Sequence, residues 1–200
     1  VEALAEAPKI KVNQVGYKPS DTKIAVFTDL AEDDTSFKVV DAASGETAFE
    51  GSLGDAAEYN VGGETDRQGD FSSLDKEGTY KIVTGGGEES GEFRIADNVY
   101  DDTYNSIVKM MYMQRCGTEL TSDLAGDYTH PACHTEKATI YGTDKKIDVS
   151  GGWHDAGDYG RYVVPGAKAV ADLLYAYLAN PSMYADNTGI PESGNGKADI

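Results

Sequence analysis

The chain has 200 residues, of which 40% are hydrophobic, an ordinary proportion for one large globular domain or two small ones. Asp and Glu (35) outnumber Lys and Arg (17), and the net charge of -18 repels phosphate backbones and anionic membranes. No apolar run approaches the roughly 20 residues that span a bilayer. Composition therefore argues against nucleic-acid and membrane partners. It leaves open a neutral partner such as polysaccharide, or a charge that serves solubility alone.

The first eight residues form a lead rich in Ala and Glu, and the first residue is Val rather than Met. This is typical of a processed or trimmed terminus from which a signal peptide is already absent. The terminus therefore predicts an exported protein, extracellular or periplasmic.

Residues 9–96 have the pattern of short strands separated by turns. The strand-like runs are 10–12, 23–27, 37–40, 79–83 and 91–95, and turn signals occur at 43–46 and 85–87. Strands of this length at this spacing indicate an all-β sandwich. The sequence predicts an immunoglobulin-like domain over 9–96, without cysteine and therefore without an inter-sheet disulfide.

Beyond Asp97 the spacing of apolar residues becomes helical. One face carries Tyr104, Ile107, Val108, Met111, Tyr112 and Arg115, with Asp101 and Asp102 placed to favour a helix N-terminus. A second helix is predicted from about Pro165 to just before Pro181, with Val170, Leu173, Leu174, Tyr177 and Leu178 as its apolar residues. Two helices cannot bury a core alone, so we expect 100–200 to be the N-terminal portion of a larger helical domain.

The segment 121–152 between these helices has no sustained period, and a loop this long usually has a function or an internal cross-link. Both cysteines and two of the three histidines lie in or near it: Cys116, Cys133, His134 and His154. A Cys116–Cys133 disulfide would contribute about 3 kcal/mol, and spacing alone favours it. The alternative is a Cys2His2 zinc site. His130 precedes Pro131 and is interpreted as a loop histidine.

The glycine-rich stretch 151–159 contains two carboxylates three residues apart, Asp155 and Asp158, next to His154. Clustered glycines indicate unusual backbone conformation or close approach of a ligand. The carboxylates are candidates to hold a water molecule or a metal ion, or to cap the helix that follows. Trp153 is a candidate stacking surface for a sugar or a hydrophobic contact that fixes the loop.

Four segments together resemble a known family. Residues 151–158, Gly-Gly-Trp-His-Asp-Ala-Gly-Asp, resemble the segment around the catalytic base of family 9 glycoside hydrolases, the inverting cellulases and endoglucanases. Residues 12–17 are similar to the opening of the immunoglobulin-like module of one subgroup. Residues 114–117 and 130–135 resemble that subgroup's zinc-binding segments, and 190–196 the entry to its next barrel helix. The matches occur in the family's order along nearly the whole chain.

The resemblance implies that 100–200 begin an (α/α)6 barrel in a secreted endo-β-1,4-glucanase. Asp158 matches the general base and Asp155 its partner in holding water; Trp153 and Tyr159 are candidate substrate contacts. Cys116, Cys133, His134 and His154 match the ligands of a structural zinc. Calcium is possible, but no ligands are assigned to it.

An inverting hydrolase also needs an acid about 6.5–9.5 Å from the base, and the family's acid is a glutamate near the end of the domain. We expect it beyond residue 200, so that the 200 residues alone are inactive and act with the remainder of the catalytic domain on a β-1,4-glucan. The alternatives are a non-catalytic carbohydrate-binding or scaffold fragment and an exo-acting cellodextrinase or glucosaminidase of the same family.

Overall fold

The computed structural model describes residues 8–200, and the chain divides into two compact units, Val1–Asp102 and Thr103–Ile200. Within its described part, from residue 8 onward, the first unit has eight strands. Helices and one small hairpin occupy the second. The predicted order of a β-sandwich followed by helices is therefore confirmed, whereas the limits 9–96 and 100–200 stay predictions. In the described residues no helix combines the length and apolar content needed to cross a membrane.

The first unit is a sandwich of two four-stranded antiparallel sheets. One sheet has the order β1-β2-β6-β5 and the other β4-β3-β7-β8. The strands are β1 (Ile10–Lys11), β2 (Ile24–Thr28), β3 (Ser36–Asp41), β4 (Thr47–Ser52), β5 (Ala57–Tyr59), β6 (Glu64–Asp70), β7 (Gly78–Thr84) and β8 (Phe93–Ile95).

The core of the sandwich draws on both sheets, because successive side chains of a strand point to opposite faces. Its largest members are aromatic, and Tyr17 packs edge-on against Phe71 and Phe93 with ring centroids 5.3 and 5.6 Å away. The buried set is Ile10, Tyr17, Ala25, Phe27, Phe37, Val39, Phe71, Leu74, Tyr80, Ile82, Phe93 and Ile95. All five predicted strand-like runs contribute to this core, which explains why their apolar pattern was visible.

Strands β4, β5 and β6 lie outside the predicted set, and β6 shows the physical reason. It is paired on both sides, yet of its seven residues only Gly69 is buried. An added Cβ at Gly69 would lie 2.6 Å from a ring carbon of Phe37 and 2.7 Å from one of Phe27. Because the core side of β6 is filled by rings from other strands, the strand has no apolar alternation of its own.

The second unit contains α1 (Asp101–Met113, begun at the end of the first unit), α2 (Ser122–Ala125), α3 (Val163–Ala179) and a 3-10 helix (Pro181–Met183). The first predicted helix is confirmed, but Arg115 follows its end. The second begins at Val163, two residues before the predicted start. Pro165 is therefore its third residue, where its missing N–H is one that a helix leaves unpaired anyway.

Apolar burial is sparse in the second unit. Val108 and Tyr112 are the buried residues of α1, and among the described residues of α3 none is buried. A small cluster joins Tyr112 to Leu120 and Ala125. Side chains of α1, α3 and residues 190–200 line an open, mainly apolar cleft of about 950 Å³.

The segment 121–152 has more structure than its sequence indicates. Besides α2, it contains a short antiparallel hairpin of β9 (Ala138–Thr139) and β10 (Lys146–Ile147). All four hairpin residues are exposed, so no burial pattern marks them. A backbone bridge pairs His130 with Leu120, and Cys133 and His134 join a cluster that is described below.

Replacing Gly69 by Ala should destabilise the sandwich by about 1–3 kcal/mol, because the added methyl overpacks a filled core. Native-state hydrogen exchange of the β2 and β6 amides would measure this loss within the first unit. Gly91→Ala is the matched control, since an added Cβ there meets nothing within 4 Å. An equal loss in both variants would contradict the packing explanation.

Candidate active site and metal centre

Four side chains converge behind the glycine-rich loop. The candidate ligand atoms of Cys116, Cys133, His134 and His154 all lie within 4.8 Å of one another. We call these four residues the Cys/His cluster. Cys116 and His154 are buried, Cys133 is half-buried and His134 is exposed. The structure therefore brings together all four residues for which the sequence suggested a metal site.

Two backbone hydrogen bonds hold the ends of the long loop together. The Cys116 N–H donates to the Gly152 carbonyl at 2.8 Å. The His154 N–H donates to the Gln114 carbonyl, also at 2.8 Å. Residues 114–116 and 152–154 thus pair as an antiparallel β-bridge. This pairing places a cysteine from one segment beside a histidine from the other.

The side chain of Trp153 fastens the same bridge to α1. Its indole N–H donates to the carbonyl of Met111 at 2.9 Å. That carbonyl belongs to the last turn of α1, where four C=O groups have no partner within a helix. The bond favours the interpretation of Trp153 as the residue that fixes the loop. Contact of its ring with a substrate stays a prediction.

The spacing of the Cys/His cluster suits a tetrahedral metal ion. Thiolates about 2.3 Å from a tetrahedral zinc lie ~3.8 Å apart, and the two Sγ atoms are 3.8 Å apart here. The remaining close pairs are Cys116 Sγ to His134 Nδ1 at 3.3 Å and Cys133 Sγ to His154 Nε2 at 3.2 Å. Both cysteines are free in the structure, so the alternative disulfide is not formed.

Burial is the largest cause of the pKa shifts of the two buried ligands, Cys116 and His154. It raises the pKa of the Cys116 thiol, and hydrogen bonding to Cys133 acts in the same direction. It lowers the pKa of His154, as do the charges of His134, His130 and Arg161. His154 therefore favours the neutral imidazole that binds metals, while Cys116 must lose a proton. Metal affinity should accordingly fall as the pH is lowered.

Asp155 and Asp158 lie on a tight turn directly after the Cys/His cluster. The Asp155 N–H donates to the Gly160 carbonyl at 2.8 Å, which closes the turn. The Gly160 N–H donates to Asp158 Oδ1 at 2.9 Å and orients that carboxylate. Both aspartates are exposed. The turn thus presents two carboxylates to solvent on a backbone that is fixed through its own hydrogen bonds.

Neither aspartate caps the next helix, which was one interpretation of their spacing. Tyr162 precedes the first turn of α3, and the described N-terminus has no side-chain cap. Asp158 is instead bound to Gly160, two residues along the chain. The cap interpretation is wrong because Asp158 lies four residues before Tyr162, which occupies the N-cap position of α3.

Tyr159 connects the carboxylate turn with the Cys/His cluster. Its φ of 58° lies in the left-handed region, which is uncommon for a residue other than glycine. This conformation places its ring centroid 4.5 Å from that of His154. The side chain is 43% exposed, so its predicted contact with a substrate is not blocked, and it stays a prediction.

One residue of the site has no signal in the sequence. Arg161 donates hydrogen bonds to the carbonyls of Val149 and Gly151. Its acceptors are main-chain atoms, so no complementary residue type marks the interaction. Only the conformation of the loop reveals it.

Comparison with known proteins relates both units to one family. Residues 5–89 match the model described as "Cellulase N-terminal ig-like domain", and residues 100–197 match "Glycosyl hydrolase family 9". The cellodextrinase of Butyrivibrio fibrisolvens is 42% identical over 193 residues, which are 96% of this chain and 34% of the relative. The chain thus spans about a third of that relative's length.

Solved structures agree. The crystal structure of a metagenome-derived family 9 endoglucanase superimposes with a TM-score of 0.83 at 36% identity, over 95% of this chain and 37% of that one. A Zn-binding triple mutant of the family 9 endoglucanase J30 superimposes with a TM-score of 0.76 at 34% identity. The match covers 88% of this chain and 33% of that one.

The Cys/His cluster should bind one divalent metal ion per chain. Cobalt is a suitable probe, because thiolate coordination gives an absorption band that carboxylate binding lacks. Cys133→Ser should reduce the intensity of this band or weaken Co²⁺ binding by at least about 10-fold, since it removes one of the two thiolates. His130→Ala is the control: His130 lies outside the cluster, so its removal should change binding far less than Cys133→Ser does. Equal titrations for all three proteins would contradict the assignment.

Proposed function

The chain belongs to glycosyl hydrolase family 9, and on that premise we propose that the protein hydrolyses β-1,4-glucosidic bonds of cellulose or a related β-glucan, with inversion. The observation that carries the proposal is the exposed pair Asp155 and Asp158 on a turn that directly follows the Cys/His cluster. Asp158 is the general base and Asp155 helps to hold the attacking water.

The local hydrogen bonds suit this division of roles. One oxygen of Asp158 accepts the Gly160 N–H, which leaves the other oxygen to accept a proton from water. The water oxygen forms a bond to the anomeric carbon while the bond to the leaving glycosidic oxygen breaks. Asp155, three residues away on the same turn, is placed to accept a second hydrogen bond from the water. Both aspartates are exposed, so a chain of sugars has access to them.

An inverting reaction also needs a carboxylic acid that protonates the leaving oxygen, about 6.5–9.5 Å from the base. We propose that a glutamate outside these 200 residues supplies it, as the family resemblance implies. The chain spans about a third of its relatives, so activity, substrate and partners of the whole protein remain parts of this proposal.

We propose zinc as the metal of the Cys/His cluster, with a structural role. Two thiolates and two imidazoles form a closed tetrahedral donor set, which is typical of structural zinc and leaves no position for substrate. The Zn-binding variant of endoglucanase J30 supports this choice of metal. When bound, the ion would hold residues 116, 133, 134 and 154 together and so fix the backbone next to Asp155.

Trp153 and Tyr159 are the proposed substrate contacts, and an exported location suits a polysaccharide substrate. The substrate itself has two candidates. Similarity to an endoglucanase supports internal cleavage of a polymer, while similarity to a cellodextrinase supports short oligosaccharides. A fall in the viscosity of soluble cellulose well before reducing ends accumulate would favour the polymer.

In the full-length protein, Asp158→Asn should lower kcat by about 10²–10⁴-fold, because the isosteric amide cannot accept the proton of water. KM should change by less than about threefold, since the amide keeps the shape of the site. Steady-state hydrolysis of a soluble β-glucan measures both. Asp144→Asn, an exposed change in the β9–β10 turn, is the control and should leave both constants unchanged.

The same hydrolysis reaction, followed by NMR, tests the stereochemistry. Proton NMR of the first products should show the α-anomer before mutarotation. Initial β-anomer, or near-wild-type kcat in Asp158→Asn, would overturn the assigned role. Binding of β-glucan by a full-length protein that does not hydrolyse it would favour the alternative of a carbohydrate-binding module.

Elemental analysis of the purified protein should give close to one zinc per chain, and thiol titration after chelation should find two cysteines. Chelation should also lower the thermal stability of the second unit, because the ion joins distant parts of a loop with little apolar burial. Protein without zinc that contains a reducible Cys116–Cys133 disulfide would contradict the proposal.

A further inference from the structure

We propose that Arg161 is a positioning residue for Asp155 and Asp158, which it holds by closing residues 149–161 into a ring. This inference rests on the proposed function for its catalytic consequence. The structural part of it, the closure of the ring, stands on hydrogen bonds of the described residues alone.

The guanidinium of Arg161 binds backward along its own chain. Its Nη1 donates to the Val149 carbonyl, twelve residues earlier, and to the Gly151 carbonyl at 3.2 Å, ten residues earlier. Arg161 directly follows Gly160, which closes the carboxylate turn. The two carbonyls directly precede the segment that contains His154. Arg161 thus joins the end of the carboxylate turn to residues that precede the segment 152–154.

Two consecutive glycines make this contact compatible with the Cys/His cluster. Gly151 and Gly152 both have left-handed φ values, 84° and 79°, which cost little only in glycine. The Gly151 carbonyl accepts from Arg161, while the Gly152 carbonyl accepts from the Cys116 N–H. Adjacent peptide groups therefore serve two separate connections, one to the carboxylate turn and one to the cluster.

The hydrogen bonds inside the carboxylate turn are all local. They join the Asp155 N–H to the Gly160 carbonyl, the Tyr159 N–H to the Ala156 carbonyl and the Gly160 N–H to Asp158. Residues 155–159 are exposed, and an added Cβ at Gly157 would meet nothing within 4 Å. Exposed segments with few packing contacts open at low free energy. The half-buried Arg161 adds a wider closure around these local bonds, and that closure limits the displacement of both carboxylates.

The proposal makes a specific statement about chemistry at position 161. Both hydrogen bonds come from one nitrogen, so a lysine ammonium, which has three donors, supplies the same type of contact over a slightly shorter reach. Methionine keeps a long unbranched side chain but donates nothing. Rescue by lysine therefore separates hydrogen bonding from the simple filling of space.

The test compares Arg161→Met and Arg161→Lys in the full-length protein with Lys168→Met as control. Lys168 forms an exposed pair with Asp172 on α3, so its variant loses the same charge without touching the loop. Arg161→Met should lower kcat by about 10- to 100-fold, because small displacements of reacting groups have effects of this size. In Arg161→Met, KM should stay within about twofold of the wild-type value and the metal content should be unchanged. Arg161→Lys should recover most of the wild-type kcat.

Hydrogen exchange gives a readout that does not depend on activity. In Arg161→Met the Asp155 and Gly160 amides should exchange at least about 10-fold faster than in wild type or Lys168→Met. If the wild-type protein does not hydrolyse β-glucan, the proposed function fails and exchange alone decides on the positioning role. If Arg161→Met does not fold, Arg161→Gln is judged by the same two readouts and should show the same losses, because its amide keeps two N–H donors but is too short to reach both carbonyls.

Unchanged exchange together with unchanged kcat would overturn the proposal. So would an Arg161→Lys variant as slow as Arg161→Met, because the role would then not be hydrogen bonding to the carbonyls. Loss of the metal in Arg161→Met would also overturn it, since the residue would then support the Cys/His cluster rather than the carboxylates.

Discussion

The pairing of residues 114–116 with residues 152–154 is the interaction on which the rest of the site depends. It consists of two short backbone hydrogen bonds at the end of α1. Without them, Cys116 and His154 belong to segments 38 residues apart in a part of the chain with little regular structure. With them, the Cys/His cluster can close, and the carboxylate turn begins at a defined position one residue beyond His154.

The folded conformations of the two units are stabilised by different interactions. The sandwich has a continuous core of aromatic and branched side chains shared by both sheets, so the hydrophobic effect dominates there. The second unit buries few apolar residues, and its long loop is held by backbone bridges, the cysteines and histidines, and one arginine. Polar contacts and the Cys/His cluster therefore determine the geometry near the carboxylates. This arrangement suits the role proposed for Asp155 and Asp158, which requires both to stay exposed.

A metal in the Cys/His cluster would act as a cross-link that depends on deprotonated ligands. It would connect Cys116, three residues beyond the end of α1, to the middle of the long loop and to the residue before Asp155. Arg161 then acts on the far side of the same turn. On this view the carboxylate turn is fixed at both ends. Metal coordination by the Cys/His cluster fixes the end before Asp155, and the two hydrogen bonds of Arg161 to carbonyls fix the other end.

The sequence by itself determined the order of sandwich and helices, because buried strands and helices repeat their apolar residues with characteristic periods. Through resemblance it also predicted the residues of the site, and the structure brings the four members of the Cys/His cluster together. Tertiary structure alone decided the rest. Strand β6 has no apolar pattern because rings from other strands fill the space at Gly69. Spacing could not separate a disulfide from a metal site, because chain length between Cys116 and Cys133 does not specify where His154 lies. The contact of Arg161 remained invisible for a related reason: its acceptors are carbonyls, which every residue has, and only the folded path of the backbone brings two of them within reach.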